Sequence, residues 1–462
     1  MVSERGRLFS GSFCRADLGG DQGEVQKGRK VTMTISNSEE ISTHLDVLCQ
    51  KIGVRLTGTS EEVAAGHYAA EKFREYGAVV SIETFPVGCR KVRTQQLEVK
   101  INEKWIHFPC SLLGSSPGTD GNTISAPLVY FESEVDYQRK DLSFLSGKAV
   151  VHMGTHIESR ECYRRLMDAH PAFLLFVDLR FPGVIPTSDG LFPAYVSEIG
   201  ARPTVSAAYF DAWKWAETHA SEARLTVDGE TVSGTGINVI ADFPGTDPDA
   251  GILYTGSHLD TQADTVGADD NASGMAWQLE LARILASRKW KRTIRHIAFG
   301  AEEQLSVGSA AYVRSHRDEI AKHGILIFNA DSCGSLLGWT RLNFNGPEEI
   351  GILLKTHFER RNLYSGISSE VIPYSDQFPF AACGIPGVWL ERPNCTNGHF
   401  YHHRPENTAD KISPEVLAKY VEAAAAFLGE LADAEPLPYR LMIPPAQLRP
   451  IESYWQDLFG GW

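Results

Sequence analysis

Ile252-Leu253-Tyr254-Thr255-Gly256-Ser257-His258-Leu259-Asp260 decides the fold: a short apolar run passes through Gly and Ser directly into His and Asp. A brief apolar stretch bounded by small residues reads as a buried strand, here Ile252–Thr255. The pattern repeats outward along the chain. Thr293–Phe299 ends in Gly300-Ala301-Glu302-Glu303, Ile325–Asn329 ends in Ala330-Asp331, and Gly387–Leu390 precedes a loop reaching His402-His403. Upstream, Asn238–Ala241 is another strand candidate. Helical spacing fills the intervals: Ser273–Arg288 carries Trp277, Leu281 and Leu285 on one face, followed by Val307–His323 and Ser413–Asp433. Ser413 is placed to cap the last of these, with Pro414 at its first position. This alternation predicts an α/β fold, a mostly parallel sheet sandwiched by helices. Ligands of such sheets bind beyond the carboxyl ends of the strands, so His, Asp and Glu converge on one rim.

The flanking regions read differently. Residues 1–36 are expected to be an N-terminal tail, rich in Gly and charge near its start and without the apolar core of a signal peptide. A helix through Ile41, Leu45, Leu48 and Ile52 follows, then a second one opened by the capping box Thr59-Ser60-Glu61-Glu62 and stopped by Gly77. Ala78–Phe85 alternates like a strand. Residues 93–229 read as a separate β-rich module of short runs (Ala126–Phe131, Lys148–His152, Ala172–Val177), in which His152, His156 and Glu158 are expected at the surface or in loops. Residues 436–462, rich in Pro and aromatics, are expected as a C-terminal tail packed on the outside. With 462 residues and 43% hydrophobic content the chain can bury a sizeable core, and its net charge of −14 argues against nucleic acid or an anionic membrane as partner. No apolar stretch approaches the roughly 18 residues of a membrane span. The eight cysteines lack a Cys-x-x-Cys pair and fit reduced thiols in a cytoplasmic setting.

Each polar fragment has a plain alternative. Asn271 or Ser273 suits a helix cap, Glu-Glu pairs also occur at Glu61-Glu62 and Glu348-Glu349, and Asp331 or His402-His403 alone says little. Together they are specific. Two imidazoles, three carboxylates and a spare carboxylate suit a pair of divalent ions, and zinc accepts both nitrogen and carboxylate oxygen. A shared carboxylate can hold two ions about 3.5–4 Å apart. The pattern leaves open which of Asp269 and Asp270, and which of His402 and His403, would serve.

The ordered set His258-x-Asp260, Gly267-Ala268-x-Asp270-Asn271-x-Ser273-Gly274, Glu302-Glu303, Asp331 and His403 resembles metallopeptidase family 28 (clan MH), the co-catalytic dizinc aminopeptidases related to glutamate carboxypeptidase and the transferrin receptor. The likeness extends over residues 41–90 and 237–430. It implies a mixed, mostly parallel sheet of the zinc-dependent exopeptidase type (phosphorylase/hydrolase-like). It also implies a discontinuous peptidase domain, residues 37–92 and 230–435, with a protease-associated (PA) domain inserted at 93–229. Two zinc ions per chain are implied: His258 and Asp331 on one, Glu303 and His403 on the other, Asp270 across both, and a cis Asp270-Asn271 peptide. His403 follows from matching His403-Arg404-Pro405-Glu406-Asn407-Thr408 to the family's His-Thr-x-x-Asp-Thr. Arg404 and Asn407 depart from that run.

The chemistry so implied is hydrolysis of a terminal amide bond. A zinc-bridging water attacks, Glu302 is the general base, and Asp260 orients the ring of His258. Tyr374 is either an oxyanion donor or a packed loop aromatic. An aminopeptidase acting on peptides is the leading expectation. A carboxypeptidase or dipeptidase would need a cation for the terminal carboxylate, for which Arg392 and Arg404 are candidates; a small-molecule amidase is a further alternative. A reading of another class is a non-catalytic, receptor-like binding domain that has lost its metals. A homo-oligomer is compatible with the sequence.

Overall fold

The computed structural model describes residues 35–154, 157, 159–395 and 398–462. The expected N-terminal tail, apart from its last residues, and the surface positions His156 and Glu158 lie outside them.

Fourteen strands occur among the described residues: β1 (Val79–Ile101), β2 (Lys104–Phe108), β3 (Cys110–Leu112), β4 (Thr123–Glu132), β5 (Ala149–Gly154), β6 (Phe173–Asp178) and β7 (Thr204–Ala207) come first. Then follow β8 (Glu222–Phe243), β9 (Ile252–His258), β10 (Thr293–Phe299), β11 (Gly324–Ala330), β12 (Thr340–Asn345), β13 (Ser365–Ser368) and β14 (Gly387–Glu391). Strands β10, β9, β11 and β14 are mutually parallel neighbours. Antiparallel β8 and β12 flank them, and β13 closes that side. Every residue of β9 and β11 is buried, which is why both read as continuous apolar runs rather than as alternations.

Helices cover this sheet. Ser60–Glu75 lies against β8, and Gly274–Leu285 packs on β9 and β11 beneath Pro414–Asp433. Buried Gln278 ties its helix to the sheet, donating to the carbonyls of Thr255 and Ile297 at 3.1 and 3.0 Å. Gly274 lets the helix start touch the end of β11, since a Cβ there would stand 2.3 Å from the Ala330 carbonyl oxygen. That close approach brings Asp270 beside Asp331. The expected helix over Val307–His323 is two, Val307–Ser315 and Arg317–His323. They break at His316, whose ring stacks on Tyr312 and whose Nε2 lies 2.9 Å from the Glu83 carboxylate.

Two strands are far longer than the sequence suggested. β1 and β8 run antiparallel from Val79↔Asp242 to Val99↔Ala223, interrupted by one irregularity between Val92 and Thr94. The last part of β1 and the first part of β8 belong to the segment 93–229. There β4, β5, β6 and β7 form a parallel set, joined to β8 through β4. Helices Arg160–Asp168 and Tyr209–Glu217 accompany them, so the expected β-rich module is itself α/β. His152, expected at the surface, is 1% exposed. It points inward from β5 and stacks between Phe176 and Phe131, with ring centroids 4.5 and 5.5 Å away. The 436–462 segment, expected as a tail packed on the outside, holds a helix, Pro445–Phe459. Trp455 and Leu458 are buried, Phe459 stacks on Phe378, and Asp457 accepts a hydrogen bond from Tyr195 at 2.9 Å.

His152 gives the fold a measurable pH dependence. Burial holds its imidazole down at about 4, against about 6.5 in an unfolded chain. The folded-state value is depressed, so the unfolded chain takes up the proton first and stability falls as pH drops from about 6.5 toward 4. Relative to His152→Phe, the native protein should lose about 2 kcal/mol between pH 7 and pH 5, at about 1.4 kcal/mol per unit below pH 6.5. Urea unfolding with metal removed measures it. Parallel pH profiles for the two proteins would rule it out.

Candidate metal centre

The carboxyl ends of β9, β10 and β11, together with the loop after β14, converge as the sequence predicted. His258 closes β9, Glu302 and Glu303 follow β10, Asp331 follows β11, and Asp270 precedes the helix Gly274–Leu285. His258 Nε2 lies 3.1 Å from Asp270 Oδ1, 3.3 Å from Asp331 Oδ1 and 3.8 Å from Glu302 Oε2. His403 Nε2 lies 2.9 Å from Glu303 Oε2 and 3.4 Å from Asp270 Oδ2. The two oxygens of Asp270 thus face different imidazoles. The peptide Asp270-Asn271 is cis, as the family likeness implied.

The expected role of Asp260 changes in detail. The ring Nδ1 of His258 faces the main-chain carbonyl of Asp260 at 3.1 Å, whereas its carboxylate oxygen stands at 3.6 Å, beyond hydrogen-bond reach. The carboxylate serves the neighbouring turn instead. It accepts from the backbone N–H of Glu302 at 3.0 Å and of Glu303 at 3.3 Å, and from Thr57 Oγ1 at 3.0 Å. Glu302 Oε1 accepts from Ser306 at 3.1 Å, Glu303 Oε1 from the Gln262 N–H at 3.0 Å, and Asp331 Oδ2 from Ser375 at 2.6 Å.

Six carboxylates are crowded here, Asp260, Asp270, Glu302, Glu303, Asp331 and Asp376, all buried or nearly so. Burial raises Glu302 well above the usual carboxylate range and lifts Glu303 and Asp376 to about 7. Burial opposes charge on Asp270 too, but His258, His402 and His403 outweigh it and hold that carboxyl low. Burial likewise disfavours the imidazolium forms of His258 and His403, yet Asp331 and Glu303 respectively raise both well above the usual histidine range. The donor set fits divalent ions: ligand atoms of His258, Asp270 and Glu303 lie within 4.8 Å of one another, as do those of Asp270, His402 and His403. Asp270 belongs to both groups.

The centre opens on a cleft of about 200 Å³. One wall comes from the segment 93–229, through Phe181, Leu191 and Phe192; the other carries Tyr374, Trp389 and Glu391. Arg392 and Arg404 are not among its lining. Arg392 donates to the Ser335 carbonyl and to Tyr420, and Arg404 to the carbonyls of Phe181 and Phe400, so neither is the carboxylate anchor considered from sequence. Arg341 and Arg180 do line the cleft but are paired with Glu391 and Asp178. Asn407 accepts from the Asp269 N–H at 2.7 Å and so braces the turn before Asp270.

Several participants carried no legible signal. Arg55 is fully buried and donates to the carbonyls of Leu259 and Val266 at 2.8 and 2.9 Å, pinning the turn after His258. His399 sits between Asp269 and Glu391, which overcome its burial and push it up to about 10. The cluster of three histidines within residues 399–403 was its only visible mark.

With this geometry in hand, known proteins give a consistent comparison. The family model for peptidase family M28 matches residues 238–428. Aminopeptidase YwaD of Bacillus subtilis is 26% identical over 410 residues, covering 85% of this chain and 84% of the relative. Carboxypeptidase Q of Homo sapiens is 24% identical, covering 80% of each. Among solved structures, a peptidase M28 precursor from Shewanella amazonensis SB2B superposes with a TM-score of 0.74 at 21% identity, over 88% of this chain and 96% of its own. BSAP, a zinc aminopeptidase from Bacillus subtilis, gives 0.72 at 22% identity, over 90% and 99%. The segment that bears the converging residues is thus the one that matches peptidase family M28, and the chain shares the fold of these solved structures.

Proposed function

We propose that this chain is a zinc-dependent aminopeptidase that removes N-terminal residues from peptides, with two ions per chain. The observation that carries the reading is the split of Asp270, Oδ1 toward His258 and Oδ2 toward His403. His258 and Asp331 would hold one ion, Glu303 and His403 the other, with Asp270 shared. The full-length likeness to an aminopeptidase supports the direction of attack. In this reading the peptidase domain comprises residues 37–92 and 230–435, the segment 93–229 is a PA-like insertion, and 436–462 is a C-terminal extension.

Bound zinc supplies Lewis acidity and lowers the pKa of water. The chain's own residues do the rest. Glu302 takes the proton of the attacking water and passes it to the leaving amine. Ser306 occupies its Oε1, which leaves Oε2, the oxygen facing His258, for that transfer. Asp260 fixes the backbone of both glutamates and so keeps base and ligand in register. The substrate ammonium finds carboxylates around the cleft, whereas the lining Arg341 and Arg180 are already paired with Glu391 and Asp178, which disfavours a C-terminal specificity.

A substrate panel tests this. Aminoacyl amides with a free α-amine should be cleaved, and their N-acetyl counterparts should be spared. EDTA should abolish cleavage and zinc restore it. Shortening of N-blocked peptides from the C-terminus would reverse the assignment; zinc binding with no hydrolysis of any kind would favour the receptor-like reading.

A further inference from the structure

The inserted segment does more than wall the cleft, because three connections tie it to the loop that carries His403. The backbone N–H of Ser188 donates to the His403 carbonyl at 2.8 Å. Arg404, 5% exposed, donates through Nη2 to the Phe181 carbonyl and through Nη1 to the Phe400 carbonyl at 3.1 Å, so one guanidinium joins both segments. It also lies against the backbone at Gly183, where a Cβ would stand 2.9 Å from its Cζ. The Phe181 ring lies over His402 with centroids 4.6 Å apart, and His402 stacks on His403 at 3.5 Å.

The stretch making these contacts is anchored at both ends to the body of the insert. Leu179 N–H donates to Gly154 and Leu191 N–H to Gly114, at 3.1 and 2.9 Å, and Ser188 Oγ meets Ser111 Oγ at 3.2 Å. What it holds is a strained turn. His403 adopts φ +53°, left-handed backbone that a non-glycine residue keeps only where the surroundings enforce it. In that conformation its Nε2 reaches Glu303 and Asp270.

We propose that residues 181–188 are a positioning device for the metal centre: Phe181, the Ser188 N–H and Arg404 clamp the His402-His403 turn, so the insert completes the site. This rests on the metal-binding reading given under Proposed function. Groups that orient a metal ligand typically account for about 10–100-fold in metal affinity.

Cobalt titration of the metal-free protein, followed by visible absorption, tests the clamp in the full chain. The native protein should take up two ions. Phe181→Ala and Arg404→Met should weaken one of them by about 10–100-fold and alter its absorption band, while the other is unchanged. Arg93→Ala, which breaks a pair with Asp228 inside the insert, should titrate like the native protein. If either variant fails to unfold cooperatively when metal-free, Phe181→Leu, which keeps apolar volume over His402 but not the flat ring, is read by the same criterion. Two ions bound with native affinity and spectrum in the clamp variants would overturn the proposal. A native protein that binds no cobalt would instead reject the metal reading itself.

Discussion

Glu302→Gln is expected to retain both metal ions and lose about 10³–10⁴-fold in kcat, the upper part of the range for general-base catalysis. The substitution is nearly isosteric. The Glu302 backbone stays held by Asp260 Oδ1, and the side-chain oxygen that accepts from Ser306 is preserved. What disappears is the site that receives a proton. The loss corresponds to about 4–5 kcal/mol of barrier, at 1.36 kcal/mol per factor of ten. Elemental analysis and steady-state kinetics on the same sample separate the two effects. A variant within tenfold of native kcat would remove Glu302 from the mechanism, and one that loses its metal would make it a ligand instead.

Asp270→Ala carries the second large effect, because Asp270 is common to both groups of ligand atoms. It should abolish high-affinity binding of both ions, and hydrolysis with it. The cleanest readout is stability. Ligand binding to the folded state alone stabilises it by about 4 kcal/mol when free ligand exceeds Kd a thousandfold. Thermal unfolding of the native protein should therefore shift upward with zinc at that excess, and that of Asp270→Ala should not. An equal shift in both would show that the carboxylate is dispensable for metal binding.

The sequence disclosed the catalytic half of the fold because the information there is local. In β9, β10 and β11 a buried apolar run ends directly in the polar residues that converge, so a single pattern locates strand and site together. His258, Asp270, Glu303, Asp331 and His403 do come together, though choosing Asp270 and His403 over their neighbours depended on the family likeness rather than on spacing. His402 also reaches Asp270, at 3.3 Å.

What stayed hidden depends on contacts distant in sequence. β1 and β8 span 23 and 22 residues, several times the usual strand, and the stretch 228–236 has Gly229, Gly234 and Gly236, which read as loop. The Pro445–Phe459 helix was masked by Pro450 in its interior and by the prolines before it. Phe181 and Ser188 lie some 70 residues before the first ligand, and nothing in their neighbourhood announces the loop they touch. Arg55 likewise looks like any surface cation until its carbonyl partners are known.

The long β1–β8 pair also marks where the two parts of the sheet meet. Val92 and Gly229 are partners across the ladder, next to its one irregularity, and the strand pairings of the catalytic half all lie on the other side of that point. The pairings of those strands therefore involve no residue of 93–229. The arrangement is that of a hairpin whose tip is opened and lengthened, so a short turn from Val92 to Gly229 would leave every pairing of the catalytic half in place.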